Sequence, residues 1–199
     1  MTDAAAAHRP DPRRVRSRAA ALTATVDLLV ERGIAGTTIE AVAARSGVAR
    51  TTIYRHWPDQ PALVVDAFAS VLDDPAPPDL GSLRADLLHL VRGLADALGR
   101  GPAAALMATL VDAAERDPRY AAVHRREAQA RHGAVRVVLE RGVERGELPA
   151  GADLDALVDV LAGPLFHRRW VSGGRLDDAF ATTVVDTVLR AHAPRPWAP

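Results

Sequence analysis

Arg50, Thr51, Thr52, Tyr54, Arg55 and His56 are six polar residues within seven positions, and none is acidic. Guanidinium, hydroxyl and imidazole groups at this density suit one chemistry above others: hydrogen bonding to base edges and to phosphate oxygens without charge repulsion. The apolar exception, Ile53, marks the side that turns inward. Upstream stand the parts that would position such a surface. Ala43 is small enough for two helices to cross over it, and Gly47, four positions later, tolerates the positive φ of a tight turn. Val42, Val48 and Ile53 are spaced to lock a second helix onto a first. The pattern predicts a helix-turn-helix over residues 38–57.

Other chemistries lack their parts. The chain has no cysteine, so disulfides and thiolate metal sites are excluded. Ser17, Ser46, Ser70, Ser82 and Ser172 have no nucleophile-elbow context. His124 and His167 are too isolated to argue for a metal. No enzyme activity, metal or cofactor is expected. The N-terminal segment is polar and Arg-rich, with no apolar core of a signal peptide. The longest uncharged apolar run, Gly101 to Val111, is too short to span a bilayer. The expected location is cytoplasmic, with no membrane partner.

The elements follow from turn signals and apolar spacing. With 199 residues, 48% apolar and 4% aromatic, the chain favours helices, and no stretch alternates long enough to argue for a sheet. The expected fold is all-α with about nine helices. The first runs from about Arg14 to Glu31, with Leu22, Val26, Leu29 and Val30 as its stripe, and Gly33 stops it. Thr37 or Thr38 caps a helix over Ile39 to Arg45. A third runs to about Trp57, which packs in the core, and Pro58 ends it. A fourth covers Pro61 to Leu72. Three prolines between Asp73 and Asp79 mark a linker. Beyond it, Ser82 caps a helix striped by Leu83, Leu87, Leu90, Leu94 and Leu98. Further helices run to about Arg116, from Asp117-Pro118 to about Arg145, and over 154–172 and 176–192.

Charge supports two unlike ends. Residues 1–57 hold nine Arg and five acids, a net of +4, and the remainder holds sixteen Arg and twenty acids, a net of −4. A net charge of zero is therefore compatible with one end meeting phosphate.

Residues 14–72 resemble the N-terminal domain of the TetR family of transcriptional regulators. The likeness rests on "RGIAGTTIEAVAARSGVARTTIYRHWPDQPALV", with its Gly33 break, Thr37-Thr38 pair, Ser46-Gly47-Val48 turn and Thr52 to Trp57 run. The resemblance implies a homodimer that binds double-stranded DNA and answers to a small-molecule effector. It implies that Thr37 or Thr38 caps the second helix and touches phosphate, that Tyr54 and His56 bind phosphates, and that Arg50, Thr51 and Arg55 face bases. Ala49, Thr52 and Gln60 complete the expected DNA-contacting set. Family members usually carry Lys at the position of Gln60, so one charged phosphate contact fewer is expected. Arg9, Arg13, Arg14, Arg16 and Arg18 form a basic arm that could offset this.

The expected division is a DNA-binding three-helix domain over residues 1–73, of which 1–13 form a disordered arm, and a helical ligand-binding and dimerisation domain over 79–193. Residues 194–199 form a disordered tail. Ligand-binding candidates are Leu90, Leu94, Met107, Leu110, His124, Phe166, His167 and Trp170: apolar surface, an adaptable thioether, aromatics and polar handles, suiting a hydrophobic or amphipathic molecule. Dimer-interface candidates are Leu157, Val158, Leu161, Leu165, Phe180, Val184, Thr187 and Val188. Two other readings fit the same residues. One is a regulator controlled by protein contacts without an effector. The other is a small helical binding module or enzyme with an incidental helix-turn-helix.

Overall fold

A computed structural model describes residues 12–71, 76–99 and 102–192. The described residues form nine α-helices and no strand: α1 Pro12–Arg32, α2 Ile39–Ser46, α3 Arg50–His56, α4 Gln60–Val71, α5 Leu83–Gly99, α6 Pro102–Ala114, α7 Pro118–Glu144, α8 Leu154–His167 and α9 Asp178–His192. A π-turn over Arg168–Ser172 extends α8. Among the described residues no helix is long and apolar enough to cross a membrane. Residues 1–11 of the expected arm, the expected tail 194–199 and residues 73–75 of the proline linker lie outside the described residues. Pro12 and Arg13, expected in the arm, belong to α1.

Local chemistry sets the ends. Gly33 takes φ 65° and its N–H reaches Leu29 O, closing α1. Asp117 accepts from Arg119 N with Pro118 in the first turn of α7, and Asp153 accepts from Ala156 N at the start of α8. The buried face of α1 is Ala21, Leu22, Ala24, Thr25, Leu28 and Leu29; it includes Leu22 and Leu29 of the expected stripe, Val26 packs partly against the same core, and Val30 is exposed.

Two apolar cores form, and they do not divide at the linker. The first joins α1–α4 to Leu106, Met107, Leu110 and Ala113 of α6 and to Tyr120 and Val123 of α7. The second joins α5, the C-terminal part of α7, α8 and α9. Burying the two sets supplies most of the stability at about 25 cal/mol per Å² of apolar surface. The linker is tied down where it enters α5. The buried Asp86 carboxylate accepts from Leu80 N (2.6 Å) and from Arg145 Nη2 (3.2 Å), and Glu147 accepts from Leu83 N. Gly142 lets α5 close on α7, since a Cβ there would stand 2.9 Å from Leu83 Cδ1.

The dimer-interface expectation needs correction. Leu157, Val158, Leu161, Leu165, Val184 and Val188 are all buried within the single chain, and Phe180 packs partly against the same core. Of the eight, Thr187 alone stands exposed. These residues form the α5–α7–α8–α9 core, and helical spacing alone does not say which partner covers them.

Candidate nucleic-acid interface

The turn between α2 and α3 is built as the sequence requires. Gly47 adopts φ 69° and its N–H donates to Ala43 O at 3.0 Å. Ser46 Oγ accepts from Val48 N at 3.2 Å, tightening the turn. Val42 and Ile53 have no exposed surface, and Ala43 and Val48 pack partly against the same core. With Ile53 pinned inward, the other side chains of α3 turn out. Arg50, Thr51, Tyr54 and Arg55 are exposed, Thr52 and His56 half-buried, and Ala49 stands exposed at the N-terminal cap.

The polar groups on this face are loosely held. Arg50 makes one long ion pair with Glu40 (3.4 Å), both side chains more than half exposed. Among the described residues Arg55 reaches only Thr52 Oγ1, at 3.4 Å. Exposed contacts of this kind contribute little, so both guanidiniums are free to take stronger partners. By contrast, Arg45 is engaged bidentately by Glu31 at 2.9 and 2.7 Å, which holds α2 to α1 and draws the Glu31 carboxyl below its ordinary pKa.

His56 sits where α1 and α3 meet. Burial lowers its pKa below the ordinary 6.5, and the nearby charges of Arg14, Arg18 and Arg55 lower it further. Those four residues make a basic corner beside the α3 face. Trp57, with its ring 5.2 Å from that of His56, is buried as expected. Its Nε1 donates to Asp66 Oδ2 at 2.8 Å, and Arg18 donates to the same oxygen at 2.5 Å, tying α1, the end of α3 and α4 together.

Two expected contact residues serve the scaffold instead. Thr37 is fully buried and its hydroxyl donates to Gly33 O at 2.8 Å. It cannot present an oxygen to phosphate. Thr38 is the N-cap, accepting from Ala41 N at 3.1 Å, and is exposed. Gln60 is the second correction. Its Nε2 donates to both Ile34 O and Thr37 O at 2.9 Å, so both amide protons are engaged within the chain. Thr38, Tyr54 and Gln60 line one shallow groove with Glu40 and Asp59.

The ligand-binding candidates are spread over both cores. Met107 and Leu110 are buried in the first core, which leaves Leu110 no free surface for a ligand. Leu90 and Leu94 pack partly against the second. Phe166 touches both cores and stacks on Trp170, with ring centres 5.4 Å apart at 14°, while Trp170 stays 41% exposed. His124 is half-buried and His167 exposed. A cavity of about 740 Å³ lies elsewhere, between the end of α5 and the α8–α9 connection, and its lining of Arg92, Asp96, Arg169, Arg175, Asp177 and Asp178 is polar.

Sequence comparisons agree with this architecture. Residues 21–67 match the family model of bacterial regulatory proteins of the tetR family, and residues 77–188 match that of the tetracyclin repressor-like C-terminal domain. The uncharacterized HTH-type transcriptional regulator YdeS of Bacillus subtilis is 31% identical over 176 residues, covering 87% of this chain and 88% of YdeS. A DNA-binding transcriptional repressor, TetR, of Mycobacteroides abscessus is 33% identical over 181 residues, covering 88% of this chain and 94% of its own. The crystal structure of the TetR family transcription regulator SCO0332 matches with a TM-score of 0.68 and 35% identity, over 90% of this chain and 100% of that one. With two family models spanning both halves, a nine-helix architecture and a Gly47 turn presenting α3, the chain belongs to the TetR family of bacterial transcriptional regulators.

Proposed function

We propose that this regulator is a homodimeric repressor that reads a near-palindromic operator through two α3 helices and is released by a small hydrophobic or amphipathic effector. The observation that carries the reading is the exposed, acid-free face of α3, set outward by a fully buried Ile53. Arg50, Thr51 and Arg55 face the base edges in the major groove, where an arginine pairs bidentately with guanine. Thr38, Tyr54, His56 and the basic corner of Arg14 and Arg18 meet phosphates on either side. Ala49 and Thr52 sit against the backbone at the start of α3. The reading head spans residues 1–73, and residues 79–193 hold the effector and join the two copies.

The dimer face is the side of α8 and α9 that the single chain leaves uncovered. Ala156, Val160, Gly163 and His167 stand exposed along α8 at spacings of three and four, and Ala179, Thr183 and Thr187 along α9. Small residues at these intervals let two copies pack as a four-helix bundle. The two heads would then meet successive major grooves on one side of the duplex.

Effector control follows from the first core. Met107, Leu110, Tyr120 and Val123 pack with the helices of the head, so a shift of α6 or α7 moves the head as well. An effector acts only by its difference in affinity between the DNA-bound and released arrangements. A gel shift with DNA from upstream of the regulator's own gene tests the reading. A single retarded species at one dimer per site, weakened by the effector, supports it. Smearing, sequence-blind retardation contradicts it.

A further inference from the structure

The inward face of α7 carries a charged break. From Tyr120 its buried positions run through Val123, Glu127, Ala134, Val138 and Gly142, with Arg131 half-buried between the third and fourth. The spacing of three and four is that of one continuous core stripe. Two consecutive places on that stripe are ionic. The contribution of α7 to the first core ends at Val123, and its contribution to the second begins at Val135. Glu127 and Arg131 therefore stand where the two cores fail to join, and Phe166 of α8, which packs on both, spans the gap.

The charges there do not cancel. Glu127 is 8% exposed and takes a bond from Arg126 at 3.4 Å, a pair that is neutral in sum. Arg131 has no carboxylate of the described residues within salt-bridge distance. Among the described residues its one polar contact is Met107 Sδ, 4.0 Å from Nη2, and a thioether is a weak acceptor. Burial pushes the Arg131 pKa down, with Glu127 opposing from one turn away. A desolvated guanidinium that no carboxylate touches costs stability, a cost that Glu127 offsets only in part from one turn away.

We propose that this break is the head-group end of the effector site, and that it takes an amphipathic carboxylate. Arg131 turns from Met107 and donates two parallel N–H bonds to the carboxylate, while the hydrocarbon body lies against Met107 and Phe166. The inference rests on the effector-responsive reading above and names the chemistry of its ligand. It also gives the ligand a mechanical consequence. Met107 belongs to the core of the DNA-binding head, so freeing it from Arg131 perturbs that core directly.

Two variants and two probes test this on the full-length protein. Decanoate carries the head group, and decan-1-ol carries the same chain without the charge. Decanoate should raise the melting temperature in step with the logarithm of its concentration, and decan-1-ol should do so at least tenfold less potently. Arg131→Met, close in shape and uncharged, should raise the ligand-free melting temperature by about 2–4 °C and abolish the decanoate response. Arg131→Lys should keep a weakened response, since it retains charge without the fork. A fall in the ligand-free melting temperature of Arg131→Met overturns the assignment, as does a decan-1-ol shift equal to that of decanoate or no decanoate shift at all. These outcomes are all read from melting temperatures, and operator binding of the wild-type protein without ligand is read separately by a parallel gel shift. Loss of that binding in the wild-type protein would instead sink the regulator reading itself.

Discussion

Gln60 holds Thr37 in place: the amide Nε2 of Gln60 lies 2.9 Å from the carbonyl oxygen of Thr37 and 2.9 Å from that of Ile34. The first residue of α4 thereby fixes the loop that presents Thr38 and begins α2. A residue expected at the phosphate backbone acts one step behind it. Gln60→Ala should leave the carbonyl of buried Thr37 without this donor, while Ile34 O keeps the Thr37 N–H at 3.1 Å, and destabilise the protein by about 1–3 kcal/mol. DNA affinity should fall alike for specific and random sequence, with the salt slope of binding unchanged. A fall in DNA affinity with no loss of stability would mean that Gln60 reaches phosphate after all.

His56 gives the interface a pH dependence whose sign is fixed. In the free protein, burial and three arginines hold its pKa below 6.5, so the ring is neutral at pH 7. A phosphate beside the ring favours the imidazolium and raises the pKa in the complex. Binding therefore takes up a proton in the window between the two values, and affinity rises as pH falls through it. Anisotropy titrations at about pH 6 and about pH 7.5 should show tighter binding at the lower value, and His56→Gln should flatten the difference. Affinity that falls with pH in the wild type would place His56 away from phosphate.

Val160 marks the boundary between the proposed dimer face and the core beside it. Its side chain is 51% exposed on α8, whereas its neighbour Leu161 is 3% exposed. Val160→Asp should leave helical content and ligand-free folding intact, yet shift sedimentation toward a monomer and weaken operator binding. Leu161→Asp should unfold the C-terminal half, because it buries an unpaired charge. A Val160→Asp protein that still sediments as a dimer would move the interface elsewhere.

The helix-turn-helix is legible in the sequence because its constraints are local. A glycine that must take positive φ, a proline that must end a helix and an apolar residue that must face inward are each written in residue type. Thr37 and Thr38 are not separable in that way, since adjacent threonines are alike in sequence and only packing decides which is buried. The role of Gln60 is hidden for a related reason. Its partners are the backbone carbonyls of Ile34 and Thr37, 26 and 23 positions upstream, and carbonyls leave no mark in sequence. The expected dimer residues fail because an apolar stripe states that something covers it and not what. Glu127 and Arg131 do leave a signal, for both fall on the stripe from Tyr120 to Gly142. It is masked by the many other charges of α7, which lie on its solvated side.

Sequence-specific recognition by α3 is tested most directly through Arg50, whose exposed guanidinium is held only by a long contact to Glu40. Fluorescence anisotropy at one fixed salt concentration would compare wild type and Arg50→Ala on the upstream DNA and on a scrambled duplex. The expected result is a loss of about 1–3 kcal/mol on the upstream sequence, relaxed discrimination at one base pair, and little change on the scrambled duplex. Equal, weak binding to both duplexes that Arg50→Ala leaves untouched would contradict it.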